Sequence, residues 1–71
     1  MNEDVTIITR SGDLEIIMNR NHALGLCKDV KDSKIREMEY EGRFRDTGRE
    51  MRFLIDLDSI DVIIRSERIE E

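Results

Sequence analysis

The first part of the chain has the pattern of a β-hairpin. Five of the six residues in 5–10 are β-branched, and residues 14–18 form a second apolar stretch. Ser11, Gly12 and Asp13 lie between them and are residue types that favour turns. Because β-branched side chains fit the pleated surface of a sheet, we predict two antiparallel strands joined by a tight turn.

Residues 19–32 change to the period of a helix. Lys28 and Asp29 fall on one side of a helical projection, and apolar residues form a stripe on the other. The members of this stripe are Ala23, Leu24, Leu26, Cys27 and Val30. Asn19 or Asn21 can cap the amino end, so a short amphipathic helix is predicted.

Alternation with a period of two returns after Ser33 and predicts a second hairpin. One face of the first strand would carry Met38, Tyr40, Gly42 and Phe44, and the other face Glu37, Glu39, Glu41 and Arg43. The turn is predicted at residues 46–48, and the second strand alternates through Met51, Phe53, Ile55 and Leu57. Two such strands should pair antiparallel.

Residues 59–65 fit two structures. Ile60, Ile63 and Ile64 would suit a helix capped by Ser59, but the dense Ile and Val content favours a final strand. We predict the strand, followed by a frayed acidic tail over residues 66–71.

Together these elements predict a single domain over residues 1–71, of the α+β class. The order is β-β-α-β-β-β, with a small, mainly antiparallel sheet and one short helix on part of one face. The alternative is a small, strongly bent or closed β-barrel with one helix.

Apolar residues are too many for one short helix to cover. Strict alternation fails at residues 7–8, 16–17 and 62–64, so these strands present aliphatic side chains to both faces of the sheet. An apolar face left open on a small protein is typical of an interface. We therefore expect a homo-oligomer, most simply a dimer, with Ile8, Ile17 and Ile63 at the interface. In the alternative, a barrel interior takes up these side chains.

Net charge and composition limit which partners and which cellular compartment we expect. The net charge is −5, so general affinity for nucleic acid is not expected. Cys27 is the only cysteine, which excludes an intrachain disulfide and favours a reducing compartment. The amino-terminal residues do not have the pattern of a signal peptide, and apolar runs are far too short for a membrane span. We expect a cytoplasmic protein that does not contact a membrane.

The residues do not form a pattern typical of an enzyme. His22 and Cys27 are five positions apart and fall on different sides of the predicted helix, which suits neither a metal site nor a nucleophile–base pair. Cys27 is expected to be a buried, inert thiol, and His22 an exposed residue at the helix start. The acidic clusters lie on an outward strand face (residues 37–41) and around a turn (residues 56–61). No catalytic residue, cofactor or metal is predicted.

The most suggestive stretch for binding is residues 42–53. It combines arginines with Phe44 and Phe53, a combination that can grip phosphates and stack on bases. The arginines are Arg43, Arg45, Arg49 and Arg52. The simpler interpretation is that both phenylalanines belong to the core and that the arginines pair with neighbouring glutamates. An anionic ligand or an acidic protein surface would also fit such a cluster.

The leading hypothesis is a non-enzymatic interaction protein that assembles with itself and offers a partner site near the arginines. Its composition is typical of accessory factors that phages and mobile elements encode. Three alternatives remain open. The chain could be an acidic inhibitor that mimics nucleic acid, a module that binds RNA or single-stranded DNA through the Arg-rich hairpin, or a ligand-sequestering protein with a pocket between subunits.

Overall fold

The computed structural model describes residues 1–69, which form one α-helix and five β-strands. The elements are β1 (Asn2–Thr9), β2 (Gly12–Asn19), α1 (Arg20–Val30), β3 (Glu37–Phe44), β4 (Glu50–Asp56), a 3₁₀ turn (Leu57–Ser59) and β5 (Ile60–Glu67). The predicted order is confirmed. The sheet dominates, however, so the α and β parts are less evenly balanced than the predicted α+β class implies.

All neighbouring strands of the single sheet are antiparallel, in the order β4-β3-β2-β1-β5. In a flat sheet the outer strands β4 and β5 would lie about 19 Å apart. The connection from Asp56 to Ile60 has four residue steps and can span at most about 14 Å. The sheet must therefore curl until the end of β4 approaches the start of β5. Because these two strands do not pair, the sheet stays open, and the barrel alternative is wrong.

The first hairpin forms as predicted. Its ladder runs from Asn2 opposite Asn19 to Thr9 opposite Gly12, which leaves a two-residue loop. Gly12 has a φ of +143°, a conformation that side chains rarely tolerate. The Thr9 hydroxyl donates to the Gly12 carbonyl over 2.9 Å and closes the turn.

Helix α1 begins where the sequence predicts. The Asn19 side chain accepts a hydrogen bond from the Asn21 backbone N–H at 2.8 Å, so Asn19 is the N-cap. Ala23 and Leu26 are the fully buried members of the apolar stripe. With 11 residues, α1 is too short to cross a membrane, and no helix within residues 1–69 is long and apolar enough to do so.

The core lies between α1 and one side of the sheet. Its largest fully buried side chains come from β1, β2 and the helix: Ile7, Ile16, Met18, Leu26 and Val5. Leu57 of the 3₁₀ turn and Tyr40 of β3 complete the cluster. We call the covered side of the sheet the helix face and the other side the open face.

The second hairpin also forms as predicted, with Glu37 opposite Asp56 and Arg43 opposite Glu50. Its attachment to the rest of the sheet is short, because β3 pairs with β2 only at Phe44 and Arg43. Next to this junction, a Cβ atom on Gly42 would lie 2.8 Å from the Ile17 carbonyl oxygen. Gly42 therefore permits a close approach of the two backbones.

Residues 60–67 form a strand, so the helical alternative for this segment is wrong. Pairing with β1 continues to Glu67, and the Arg68 backbone N–H donates to the Asn2 carbonyl over 3.1 Å. The predicted frayed tail thus does not begin at Ser66. Its last two residues, Glu70 and Glu71, lie outside the described residues.

Candidate interaction surface

An apolar patch lies on the open face along the outer strand β5. Val62 and Ile64 point to this face and keep 47% and 52% of their surface exposed. In the ladder, Val62 lies opposite the half-buried Ile8, and Ile64 lies opposite Thr6. We call Ile8, Val62 and Ile64 the β5 patch. It adjoins the free edge of the sheet, because no strand within residues 1–69 pairs with the outer side of β5.

The three residues predicted for an oligomer interface have different environments. Ile8 belongs to the β5 patch, whereas Ile17 points to the open face but is only 5% exposed. Ile63 lies opposite the buried Ile7 and packs against the core on the helix face. The run from Val62 to Ile64 is apolar throughout, so the sequence could not show which of its residues face outward.

Arg45 crosses the open face beside Ile17. Its backbone N–H donates to the Glu15 carbonyl of β2, while its guanidinium reaches β1. Nη2 donates to the Thr6 hydroxyl at 3.1 Å, and Nε lies 3.7 Å from Asp4 Oδ1. Because Ile17 and Asp4 are opposite each other in the ladder, the arginine lies next to Ile17.

Ion pairs link the acids around Arg45 into a chain. Arg45 Nη1 lies 3.5 Å from Glu15 Oε1, and Arg68 Nη1 lies 2.8 Å from Asp4 Oδ1. This chain connects β2, β1 and the end of β5 across the open face. The arginine predicted to bind an anion thus already has carboxylate partners within the chain.

Arg52 has the expected cross-strand partners. Its Nε lies 3.4 Å from Glu39 and its Nη2 lies 2.8 Å from Glu41. Arg43 and Arg52 line a shallow hollow of about 530 Å³ together with Glu41 and Glu50. Two arginines and two glutamates balance in charge, so this hollow is not a strongly positive site.

The remaining members of the Arg-rich hairpin are separated from this hollow. Arg49 is exposed beside the turn, where its backbone N–H donates to the Thr47 hydroxyl. Phe53 packs against Tyr40 on the helix face, with ring centroids 5.9 Å apart. Phe44 is exposed. The structure therefore does not gather the four arginines and two phenylalanines into one binding surface.

A buried ion pair that the sequence did not indicate joins β1 to β5. Glu3 is 7% exposed and accepts two hydrogen bonds from Arg65, at 2.6 and 2.8 Å. The hydrogen bonds from Arg65 lower the pKa of Glu3, and those to Glu3 raise the pKa of Arg65. The alternation of β1 could have indicated that Glu3 is buried, since Glu3 shares a strand face with Val5 and Ile7.

The helix is tied to the second hairpin by one polar contact. The Tyr40 hydroxyl donates to Asp29 Oδ2 at 2.8 Å. Burial raises the pKa of Tyr40, and the hydrogen bond to Asp29 raises it further. Of the two residues considered for chemistry, Cys27 is half-buried and His22 is exposed at the helix start.

A shallow hollow of about 350 Å³ separates α1 from β5. Cys27, Val30 and Lys31 form its helix side. The strand contributes Ile60, Asp61, Val62, Ile63 and Arg65. The outer edge of β5 is therefore not covered by the helix.

Comparisons with protein-family models, with curated proteins and with solved structures found no match for this chain.

Proposed function

We propose that this chain is a non-enzymatic interaction protein that works as a homodimer, formed through the β5 side of its sheet. The observation that carries the proposal is the combination of an unpaired edge strand and an adjoining apolar patch, Ile8, Val62 and Ile64. A long edge strand with exposed aliphatic residues is a template for pairing with another chain.

The charged residues support an interaction role over a catalytic one. Arg45, Arg52 and Arg65 each bind carboxylates of the same chain, so their charges are already balanced within the fold. Catalysis requires polar groups that converge on a concave site where a substrate can lie. The acidic and basic side chains of the open face are instead spread along neighbouring strands, where they pair with one another.

The same contacts favour a protein partner over RNA. A phosphate that approached Arg45 or Arg52 would have to compete with the carboxylates beside them. Among the aromatic residues of the Arg-rich hairpin, Phe53 lies against Tyr40 on the helix face. Stacking on bases would therefore depend on Phe44 alone.

The first test is the mass of the purified protein in solution. Light scattering at tens of micromolar should give the mass of two chains. Ile64→Thr removes apolar surface from the patch without touching the core, so this variant should have the mass of one chain and remain folded.

Leu54→Thr is the matched control. Leu54 is 67% exposed on the open face of β4, at the opposite edge of the sheet. This variant should keep the mass of two chains. A wild-type protein with the mass of one chain at these concentrations would end the proposal.

A further inference from the structure

We infer that two copies pair antiparallel along β5, with Ile63 at the two-fold axis of the dimer. This inference rests on the proposed homodimer and specifies its register. It follows from the backbone groups that β5 leaves free and from the side chains that each possible register would bring together.

The ladder between β1 and β5 shows which backbone groups point outward. The Arg68 N–H donates to the Asn2 carbonyl, so these two residues form a hydrogen-bonded pair. Hydrogen-bonded and non-hydrogen-bonded pairs alternate along an antiparallel ladder. Ser66, Ile64 and Val62 therefore bond to β1, and the backbone groups of Ile63 and Arg65 point to the outer edge. No described residue pairs with that edge.

With Ile63 at the axis, the exposed side chains complement each other on both faces. On the open face, Val62 of each copy lies opposite Ile64 of the other, which joins the two apolar patches. Asp61 is the extra residue at the register shift next to Val62, and in this register it would lie near Arg65 of the other copy. Directly opposite apolar residues and opposite charges both stabilise a strand pair.

Arg65 can accept this second partner. Its Nε and Nη2 bind Glu3, and a guanidinium has five N–H donors, so others remain. Asp61 is exposed and lines the same hollow as Arg65. The register shift in the β1–β5 ladder falls at Asp61, which has no residue opposite it in β1, so residues 62–67 keep regular spacing and Asp61 lies just beyond them.

The neighbouring registers are less favourable. An axis at Ile64 would place Asp61 opposite Glu67, two like charges, and Ile63 opposite Arg65. An axis at Arg65 would place the two arginines opposite each other. An axis at Val62 would place Asp61 opposite Ile63 and remove both ion pairs. Charge complementarity thus selects the register centred on Ile63.

Cysteine cross-linking tests the register directly. In a Cys27→Ser background, Val62→Cys and Ile64→Cys chains are mixed, oxidised and run on a non-reducing gel. Opposite residues of a non-hydrogen-bonded pair have Cα atoms about 4.5 Å apart, which suits a disulfide. Residue 62 of one copy and residue 62 of the other would lie diagonally, about 7–8 Å apart. The mixture should give about tenfold more cross-linked dimer than either variant alone.

The other outcomes overturn the register. Efficient cross-linking by Ile64→Cys alone would place Ile64 at the axis, and by Val62→Cys alone would place Val62 there. A Leu54→Cys chain mixed with Ile64→Cys controls for random collision and should not cross-link. If the wild type has the mass of two chains but the mixture gives no excess, the register fails and the proposed homodimer stands. If the wild type has the mass of one chain, both fail.

Discussion

The two edges of the sheet differ in how they are attached and in what they expose. Strand β5 pairs with β1 at seven positions, from Glu3 to Thr9. Strand β4 is attached through β3, which pairs with β2 at only two positions. The open face of β4 carries Glu50 and Arg52 beside Leu54, whereas β5 carries Val62 and Ile64.

This difference indicates separate roles for the two edges. Charged residues on an edge strand discourage pairing with other chains, so β4 is protected. On the open face, β5 carries Val62, Ile64 and Ser66 instead of charged residues, and its long ladder with β1 fixes its position. This edge, without charges on its open face, is therefore the one that we propose for self-association.

The largest effect is expected where the β3–β4 hairpin joins β2. Gly42→Ala would place a Cβ atom 2.8 Å from the Ile17 carbonyl oxygen, so one backbone must move. We expect a loss of about 2–3 kcal/mol in the free energy of unfolding, measured in urea. Hydrogen exchange should accelerate more in β3 and β4 than in β1 and β5.

Gly25→Ala is the control for this substitution. A Cβ atom on Gly25 would meet no atom within 4 Å, and the residue lies inside α1. Alanine favours a helix over glycine by up to about 1 kcal/mol, so this variant should gain stability. Faster exchange in β5 than in β4 for Gly42→Ala would contradict the difference in attachment.

The second largest loss of stability is expected at the ion pair that attaches β5 to β1. Glu3→Gln replaces the carboxylate that binds Arg65 and leaves the arginine without its charged partner. Charge-assisted hydrogen bonds contribute about 2 kcal/mol, so we expect a loss of that size at pH 7. Glu15→Gln, at an exposed carboxylate, should cost less than about 0.5 kcal/mol.

The contribution of the Glu3–Arg65 ion pair to the free energy of unfolding should depend on pH. Its pKa is lowered in the folded protein below the ordinary value of 4.5. The ion pair therefore stabilises the fold above pH 4.5, and this contribution is lost as the pH falls through the folded pKa. The gap between wild type and Glu3→Gln, measured by urea unfolding from pH 7 downward, should shrink as the pH falls below 4.5. A gap that is constant over this range would contradict the assignment.

The smallest effect is expected at the β4 edge. Arg52 contacts Glu39 and Glu41, but all three side chains are largely exposed. Water and salt screen such pairs, so Arg52→Ala should change the free energy of unfolding by less than about 0.5 kcal/mol. Urea unfolding at low and high salt measures this. A loss above about 1 kcal/mol would show that the β4 edge depends on its ion pairs.

The local pattern of the sequence was sufficient to predict the helix and the five strands, but not the 3₁₀ turn at Leu57–Ser59 or the end of β5. The β-branched run of β1, the Asn19 cap of α1 and the alternation of residues 38–44 all involve neighbours within a few positions. Backbone preferences and side-chain periodicity act over that range, so they can be read from one segment at a time. They also predicted the ion pairs of Arg52, since its partners lie on the adjacent strand of the same hairpin.

Only the tertiary structure decided how these elements meet. It placed β5 beside β1, and that placement sets the orientation of Ile63 toward the core and of Val62 and Ile64 toward the open face. It also brought Glu3 to Arg65, a pair 62 positions apart in the chain. Such pairings depend on how the whole sheet curls around α1 and the buried Leu57. No single segment contains that information, because the buried side chains contact residues of strands that are distant in the sequence.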